Sequence, residues 1–375
     1  MLDRKLTRSV SFRTHLLAAA LVLKGLIPLY ADDGASSIAA GGLVFKRETR
    51  IVMAKEVLKI SLTKVAVDYD FRNDADEDVT TEVAFPVPPY KNDWDTVSNP
   101  HQSFSDFRVW VNNSPIRFET EAIAKFKGKD VTKILKGDNI DIASFGHIED
   151  PREPQHDHSS RDFRHLQRAE QLRLAKSGLY DYEDGDGDAR WIVYLKYHWT
   201  QTFPAHSTVH IRHEYKPVPG SDQLLDVDSL LEMKRSGKPL PKGLADYDSR
   251  LVLNAFCPET PILQTLSNQQ HQIDADAKRD HDDFSDRGWI YSVDFILTTA
   301  NTWQRPIEDF TLVIERPHTG DSHQPLISFC SPGPVEKLDA DHFQVHLTNF
   351  VPKAELHIGF FGLPATKTAK PKQKK

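Results

Sequence analysis

The sequence predicts a mainly β protein of the sandwich type, built either as one extended sandwich or as two packed lobes, with short connecting helices. Apolar and polar residues alternate in many short segments, which is the period-two pattern of half-buried strands. Residues that favour turns, such as Asn, Gly and Pro, separate these segments. Helix signals are few and short, so a sandwich explains the pattern better than an alternating α/β fold.

Three β-hairpins are predicted in the first half of the chain. Alternation begins at Leu58 and changes parity at Thr63-Lys64, which indicates a bulge or a turn before the first hairpin. Polar residues at 73–78 and an Asn-Asn-Ser-Pro run at 112–115 supply turn chemistry for the first and second hairpins. The predicted pairs are 65–71 with 79–87, 107–111 with 116–120, and 191–203 with 209–215.

The second half contains further strand signals, and helices are predicted from their capping residues. A helix typically begins after a side chain that accepts from its first turn and ends at a glycine. Polar stretches without periodicity predict loops at 147–159, 181–190 and 269–287. The predicted helices are Asp130 to Leu135, Ser160 or Asp162 to Gly178, 221–235, and Thr260 to Asn268. The predicted strands are 251–256, 289–297, 310–314, 326–329, 343–347 and 356–361.

The N-terminus has the three parts of a secretory signal. Four basic residues within the first 13 precede an apolar run over 16–30, and Ala31 offers a small residue for cleavage. The alternative is a permanent membrane anchor, but the run has only 15 residues and Lys24 interrupts it, whereas a spanning helix needs about 20 apolar residues. We therefore expect a cleaved signal peptide, a periplasmic protein, and no transmembrane segment after cleavage.

Four regions follow from these signals. They are a signal peptide over 1–31, an N-terminal β-rich lobe over 32–219, a C-terminal β-rich lobe over 220–363, and a disordered basic tail over 364–375. The chain has a formal net charge of −7, and removal of the signal, with its net charge of +4, leaves −11. An acidic body argues against nucleic acid as a partner, because nucleic-acid binding calls for a basic face.

The chain has two cysteines, Cys257 and Cys330, each at the end of an apolar run and before a turn. In an exported protein an even pair predicts one disulfide. Two separately buried thiols are the alternative. Strand aromatic residues such as Trp199 and Trp289 could line a groove, but aromatic side chains in strands more often pack in the core, so we expect core positions for them.

Two loops carry residues that could bind a divalent metal, and no other cofactor is predicted. Asp184, Asp186 and Asp188 resemble a calcium loop, but the glycine and glutamate that a helix-loop-helix site requires are missing, so a solvated acidic turn is the main alternative. Closely spaced histidines could bind zinc or copper, although their polar surroundings favour an exposed loop. These histidines are His147, His156, His158 and His165.

No catalytic motif is convincing. Ser61 and Lys64 have the spacing of acyl-serine enzymes, but that motif requires a helix, and here it lies in a strand pattern. The glycine-flanked serine, zinc-protease and phosphate-loop motifs are absent from the sequence. A triad assembled from distant residues stays open, because such triads are recognised by geometry. The chain is therefore not assigned as an enzyme.

Several strings, taken in this order and spacing, resemble the bacterial family known as domain of unknown function 4424. The resemblance implies an exported protein of Gram-negative bacteria with a recurring cysteine pair, and it implies no activity, ligand or catalytic residue. Asn301, Trp303 and Pro306 belong to these strings and fit an architectural role, in which Asn301 caps a turn and Trp303 anchors it. The strings start at Ser36, Asp78, Tyr197, His213, Thr298 and Ser328.

Three functions remain open on this basis. The leading hypothesis is a non-enzymatic periplasmic binding or envelope-scaffold module, with an envelope protein or a glycan as its partner. The second is a hydrolase with a dispersed catalytic site. The third is metal binding through the loop between His147 and His165.

Overall fold

A computed structural model of the chain describes most of the region between the predicted signal and the predicted tail. The predicted signal peptide, the predicted tail and all seven residues of the two predicted metal loops lie outside the described residues. No helix in the described part is long and apolar enough to cross a membrane. The described residues are 34–39, 42–45, 47–91, 107–143, 163, 166–181, 189–217, 219–224, 226–238, 247–279, 288–318 and 324–362.

Strands dominate the described residues, which confirms the predicted mainly β class. They form a seven-stranded sheet in the order β10-β9-β11-β5-β1-β2, with β6 also pairing with β11. An eight-stranded sheet has the order β17-β18-β15-β3-β4-β12-β7-β8, and a four-stranded sheet has the order β13-β14-β19-β16. The strands are β1 (Gly34–Ala39), β2 (Gly42–Phe45), β3 (Ile51–Ile60), β4 (Val65–Asn73), β5 (Val79–Pro86), β6 (Tyr90–Lys91), β7 (Arg108–Val111), β8 (Ser114–Pro115), β9 (Glu119–Phe126), β10 (Lys129–Asp130), β11 (Ile192–Phe203), β12 (Thr208–Tyr215), β13 (Gly220–Leu224), β14 (Gly288–Phe295), β15 (Ile307–Glu315), β16 (Leu326–Phe329), β17 (Glu336–Lys337), β18 (His342–Phe350) and β19 (Leu356–Gly362).

The main core lies between the seven-stranded and eight-stranded sheets. Inward-facing residues of both sheets, such as Phe85 and Trp199 on one side and Tyr69 and Phe71 on the other, belong to one buried cluster. Alternate residues of each strand point to this core and the residues between them point outward. The alternation seen in the sequence is therefore the signature of a sandwich.

Two of the three predicted hairpins are wrong in their pairing. The chain passes from β4 to β5, and again from β11 to β12, by crossing from one sheet to the other. The tight antiparallel connection lies one strand earlier, between β3 and β4, at the change of parity at Thr63-Lys64. Alternation records which residues face the core, and it does not distinguish a hairpin from a crossing between sheets.

The second predicted hairpin exists but is shorter than expected. Arg108–Val111 pairs with Ser114–Pro115, and Asn112 and Asn113 adopt positive φ angles of 49° and 65°. Two successive residues with positive φ form the turn that suits a two-residue hairpin loop. The chain then leaves this sheet, so the residues near 120 belong to β9 in the other sheet.

Three helices cover the four-stranded sheet and form a second core with it. The predicted strand at 251–256 is wrong, because this segment belongs to a helix. Val252, Leu253 and Phe256 follow helical spacing and pack against this core, and a short apolar run alone cannot separate a strand from a helix. The helices are α3 (Val227–Ser236), α4 (Tyr247–Phe256) and α5 (Thr260–Arg279); the shorter α1 (Thr132–Gly137) and α2 (Arg168–Ser177) lie earlier in the chain.

Two predicted boundaries near these helices are also wrong. The segment predicted as a loop from residue 269 is helical as far as Arg279, because Gln270 and Ile273 continue the buried face that begins at Leu263. The predicted helix over 221–235 starts only at Val227, since residues 220–224 form β13. Polar residues on the buried face concealed the helical periodicity of α5 from the sequence pattern.

Helices α1 and α2 pack on one end of the seven-stranded sheet. Asp130 accepts a hydrogen bond from the Thr132 amide at 2.8 Å, but the N-cap position of α1 is Val131, one residue later than predicted. Helix α2 begins at Arg168 after Gln167, later than the predicted start at Ser160 or Asp162. Gly178 follows α2 with a φ of 71°, the left-handed conformation that ends a helix without strain in glycine. Leu135 and Leu174 from the two helices meet Trp191 in a separate buried cluster.

The structure contains the predicted disulfide between Cys257 and Cys330. It joins the residue after α4 to the residue after β16, so it ties the helical layer to the four-stranded sheet. Strands from before and after residue 219, the predicted lobe boundary, also hydrogen-bond to each other. Strand β15 pairs in parallel with β3, which places strands from both sides of that residue in the eight-stranded sheet.

Candidate binding groove

The metal-candidate residues predicted from the sequence all lie outside the described residues. These are His147, His156, His158, His165, Asp184, Asp186 and Asp188. Among the residues that the structure does describe, no group of three or more His, Cys, Asp or Glu side chains is arranged to hold a metal ion.

The residues expected to be architectural lie at the junction of the two large sheets. The side-chain amide of Asn301 donates to the Pro352 carbonyl at 2.9 Å. Trp303 is 1% exposed, and its ring lies 4.6 Å from that of Phe71, measured between centroids. Pro306 immediately precedes β15. The contacts of Asn301 and Trp303 fix a connection on the core.

Ser61 and Lys64 lie at the turn between β3 and β4. Ser61 Oγ accepts from the Lys64 amide at 3.0 Å, and Ser61 is 9% exposed. The hydroxyl therefore closes a hairpin turn. The Ser-x-x-Lys spacing here has a structural explanation.

A groove of about 550 Å³ lies beside β11 of the seven-stranded sheet. The groove lies beyond Glu119, the first residue of β9. Glu119 is opposite His198, which is the last residue of β11 that pairs with β9. No described strand pairs with the following residues of β11 on that side. We call this cavity the edge groove; its lining residues are Glu82, Val111, Ile116, Arg117, Phe118, Glu119, His198, Trp199, Thr200 and Gln201.

The backbone of β11 presents hydrogen-bonding groups to the edge groove. The Val87 amide donates to the Leu195 carbonyl at 2.9 Å, so Leu195 points its backbone groups towards β5. Backbone groups of successive strand residues point to opposite neighbours, so those of Thr200 and Thr202 point away from β5, towards the groove. The Gln201 side chain already donates to the Thr202 carbonyl at 2.7 Å.

The outward wall of the edge groove is polar. His198 Nδ1 lies 2.7 Å from Glu82 Oε1, and Thr200 Oγ1 donates to Glu82 Oε2 at 3.0 Å. His198 is 7% exposed, so this carboxylate holds the imidazole in a fixed orientation. Next to it, burial is the main cause that lowers the pKa of Lys196, and Glu121 opposes the shift from 3.5 Å.

The inward wall of the edge groove is apolar. Phe118, Ile116 and Val111 are partly buried and pack against the main core. Trp199 is 5% exposed, and within the described residues its indole Nε1–H is buried without a hydrogen-bond acceptor. The Ile116 amide donates to the Val109 carbonyl at 3.0 Å, which holds this wall to the eight-stranded sheet.

The free charges at the mouth of the edge groove are Arg117 and Glu119. Both are exposed, and neither forms an ion pair with another described residue. With Glu82 included, the lining has two carboxylates, one guanidinium and the imidazole of His198, which lies 2.7 Å from Glu82. Carboxylates therefore outnumber the guanidinium by one.

A second cavity, of about 370 Å³, lies on the outer face of the eight-stranded sheet. Two of its cations have a partner, because Lys64 Nζ lies 2.7 Å and Arg212 Nη2 lies 3.0 Å from Glu214 Oε2. The hydrogen bond with Lys64 is the main cause that lowers the pKa of Glu214. Lys59 is a third cation in the lining of this cavity.

Comparison with known families places the chain in a group defined by sequence. The model of the family described as domain of unknown function (DUF4424) matches residues 31–358. The chain belongs to the DUF4424 family. This confirms the resemblance predicted from the sequence.

Other comparisons add little about this DUF4424 protein. No curated protein matches the chain. A solved structure from Legionella pneumophila subsp. pneumophila str. Philadelphia 1, provisionally described as a nutrient binding protein, is similar over 89% of this chain and 72% of its own, with 14% identity and a TM-score of 0.35. A likeness at this level carries no argument about function.

In the edge groove of this DUF4424 protein, a hydroxyl is bonded to the carboxylate that orients His198. Thr200 Oγ1 donates to Glu82 Oε2, and Glu82 Oε1 lies 2.7 Å from His198 Nδ1. These three side chains form one hydrogen-bonded set on the polar wall.

The sequence pattern did not reveal the edge groove. His198 and Trp199 lie in one of the strings on which the resemblance to the family was predicted, and Trp199 has the core position expected for it. Trp289 and Tyr291 depart from that expectation, with exposures of 45% and 39%. Pairing between β9 and β11, and the place where it ends, depends on residues that are distant in the chain.

Proposed function

We propose that this protein is an exported binding module that holds a ligand in the edge groove and catalyses no reaction. The observation that carries the proposal is a strand edge of β11 that no described strand covers, beside a cavity of about 550 Å³ with one polar and one apolar wall. Known ligand sites have volumes of roughly 300–1,000 Å³ and combine apolar walls with a few placed polar groups. Export is proposed from the basic, apolar and small-residue pattern that ends at Ala31.

The proposal is tested by thermal shift on the mature protein, taken to begin at Asp32. The probes are short peptides, glycan fragments of peptidoglycan, malto-oligosaccharides, and zinc and copper salts. Ligand binding to the folded state alone stabilises it, by about 2.7 kcal/mol at a hundredfold excess over Kd. We expect a peptide or glycan probe to raise the Tm by several degrees.

A matched pair of variants locates the site. Thr200→Arg places a long side chain at the edge groove and should abolish the shift. Thr348→Arg makes the same change at an exposed strand position of the eight-stranded sheet and should leave the shift intact. The proposal fails if no probe stabilises the protein, or if Thr200→Arg responds as the parent protein does.

A further inference from the structure

We propose that the ligand of the edge groove is an extended peptide segment with alternating basic and apolar side chains, which adds to β11 as a neighbouring strand. This inference rests on the proposed function, because it names the ligand class of the same groove. It follows from three observations: backbone groups of β11 that no described strand covers, two chemically different walls, and a carboxylate with no ion pair among the described residues.

The open backbone groups require a ligand with a regular backbone. Thr200 N–H, Thr200 C=O and Thr202 N–H point towards the groove, whereas Gln201 covers Thr202 C=O. In peptide recognition by strand addition, main-chain hydrogen bonds supply affinity and flanking surfaces read alternate side chains. A sugar lacks the repeating donor and acceptor spacing that this edge offers.

The two walls fit the alternation of an added strand. Side chains of an extended peptide point alternately to the two faces of the sheet. Beside β11 one face meets the polar wall at His198 and Glu119, and the other meets the apolar wall at Trp199 and Phe118. A peptide that is polar at every second residue would satisfy both walls at once.

The carboxylates of the lining favour a basic peptide over an acidic one. Glu119 and Arg117 are both exposed without an ion pair among the described residues, and Glu82 adds a second carboxylate on the polar wall. Glu119 lies on the same face as His198, its partner across the strand pair. Basic side chains of the peptide should therefore lie on the polar wall.

We take the peptide to run antiparallel to β11, as β9 does, and this orientation fixes which peptide amides bond to β11. Directly opposite residues in an antiparallel pair have side chains on the same face. The side chain of Thr200 lies on the polar wall and its backbone groups point towards the groove. A peptide residue opposite Thr200 therefore also has its side chain on the polar wall, and its backbone groups point towards β11. The amides of the basic residues should donate to β11, and those of the apolar residues should face away from it.

Backbone methylation tests this inference. The probe is a fluorescently labelled, end-capped peptide of alternating Lys and Val, titrated with the mature protein and read by fluorescence anisotropy. N-methylation at the Lys positions should weaken binding at least tenfold, because it removes donors to β11. N-methylation at the Val positions should change the affinity less than threefold.

Two protein variants and a reversed peptide serve as controls. Thr200→Arg should abolish binding and Thr348→Arg should not. Glu119→Gln should weaken binding of the Lys/Val peptide several-fold, and a Glu/Val peptide should bind more weakly than the Lys/Val peptide.

The inference is overturned if both methylated peptides bind equally, or if the Glu/Val peptide binds as well as the Lys/Val peptide. Binding of peptidoglycan glycan fragments without binding of the peptide also overturns it, while the proposed binding function stands. If no probe of either class binds, both proposals fail, so the two failures are distinguishable.

Discussion

His213 shows how a titratable residue is placed inside the aromatic core of this protein. It is fully buried on β12, and its ring lies 4.2 Å from that of Phe85 and 5.6 Å from that of Tyr69, measured between centroids. Burial lowers the pKa of His213 from 6.5 to about 3, because the charged imidazolium loses its hydration. The folded protein therefore holds this imidazole neutral at mildly acidic pH.

This burial predicts a loss of stability in acid. Below pH 6.5 the unfolded chain binds a proton at His213, whereas the folded chain binds it only near pH 3. The free energy of unfolding therefore falls as the pH drops from 6.5 towards 3. Between about pH 7.5 and about pH 5.5 the loss from this residue is about 1.4 kcal/mol. The gap in unfolding free energy between the parent protein and His213→Gln should narrow by that amount, measured by urea denaturation.

The control for this experiment is His206→Gln. His206 is exposed at the connection between β11 and β12, so its replacement should leave the pH dependence nearly unchanged. A gap between parent and His213→Gln that stays constant across these pH values would contradict the assigned burial of the imidazole.

Asn73 is the second residue on which a prediction depends. Asn73 is fully buried, and its side-chain Nδ2 donates to the backbone carbonyls of Glu77 and Phe203 at 2.9 Å each. Its Oδ1 accepts from the backbone N–H of Ala75 at 2.9 Å. These bonds fix the crossing from β4 to β5 against the end of β11. Asn73→Ala should lower the unfolding free energy by about 3 kcal/mol, because buried groups lose their partners.

Chemical denaturation measures this effect, and Asn268→Ala is the matched control. Asn268 is exposed on α5, and exposed substitutions usually change stability by less than about 0.5 kcal/mol. Equal stability of the two variants would show that the crossing does not depend on the Asn73 side chain.

For the strands and helices, the sequence predicted where strands lie and which of their residues face the core better than it predicted which strands pair. Strands such as β16 have the predicted bounds, because alternation and flanking turn residues are local signals. The pairing of β11 with β5 and β9 depends on sequence separations that a period-two pattern does not encode. The prediction ended helix α5 too early, at Asn268, because Gln270 is polar although it lies on the buried face.

The disulfide gives a prediction at the scale of elements. The cysteines are 73 residues apart, and their bond closes a loop containing α5, β14 and β15. A loop of this length stabilises the fold by about 4 kcal/mol in the chain-entropy model. The double variant Cys257→Ser, Cys330→Ser should be less stable by that amount in denaturant melts, and the reduced parent protein should match it. Unchanged stability of the double variant would refute a tie between these layers.

At the scale of the whole molecule, the fold class was predictable and the site was not. Two sheets around one core follow from many short alternating segments, and the family follows from strings spread along the chain. The edge groove exists because β9 stops at Glu119 while β11 continues past Thr200. That mismatch in length appears only when the sheet is assembled.

Export gives a prediction for the whole chain. If residues 1–31 are a cleaved signal, the protein recovered from the periplasm should begin at Asp32, as read by N-terminal sequencing. Replacing Ala31 with Arg should leave an uncleaved precursor in the membrane fraction, since the peptidase requires a small residue there. Mature-length protein in the cytoplasmic fraction would contradict export.

The central claim is that the edge of β11 at Thr200 and Thr202 receives a ligand strand. Amide hydrogen exchange, followed by NMR with and without the Lys/Val peptide, tests it most directly. The amides of Thr200 and Thr202 should exchange fast in the free protein and at least about tenfold more slowly with the peptide, while Trp199, whose backbone groups point to β5, stays unchanged. Protection of both threonine amides before any peptide is added, or no change at either when it binds, would contradict the claim.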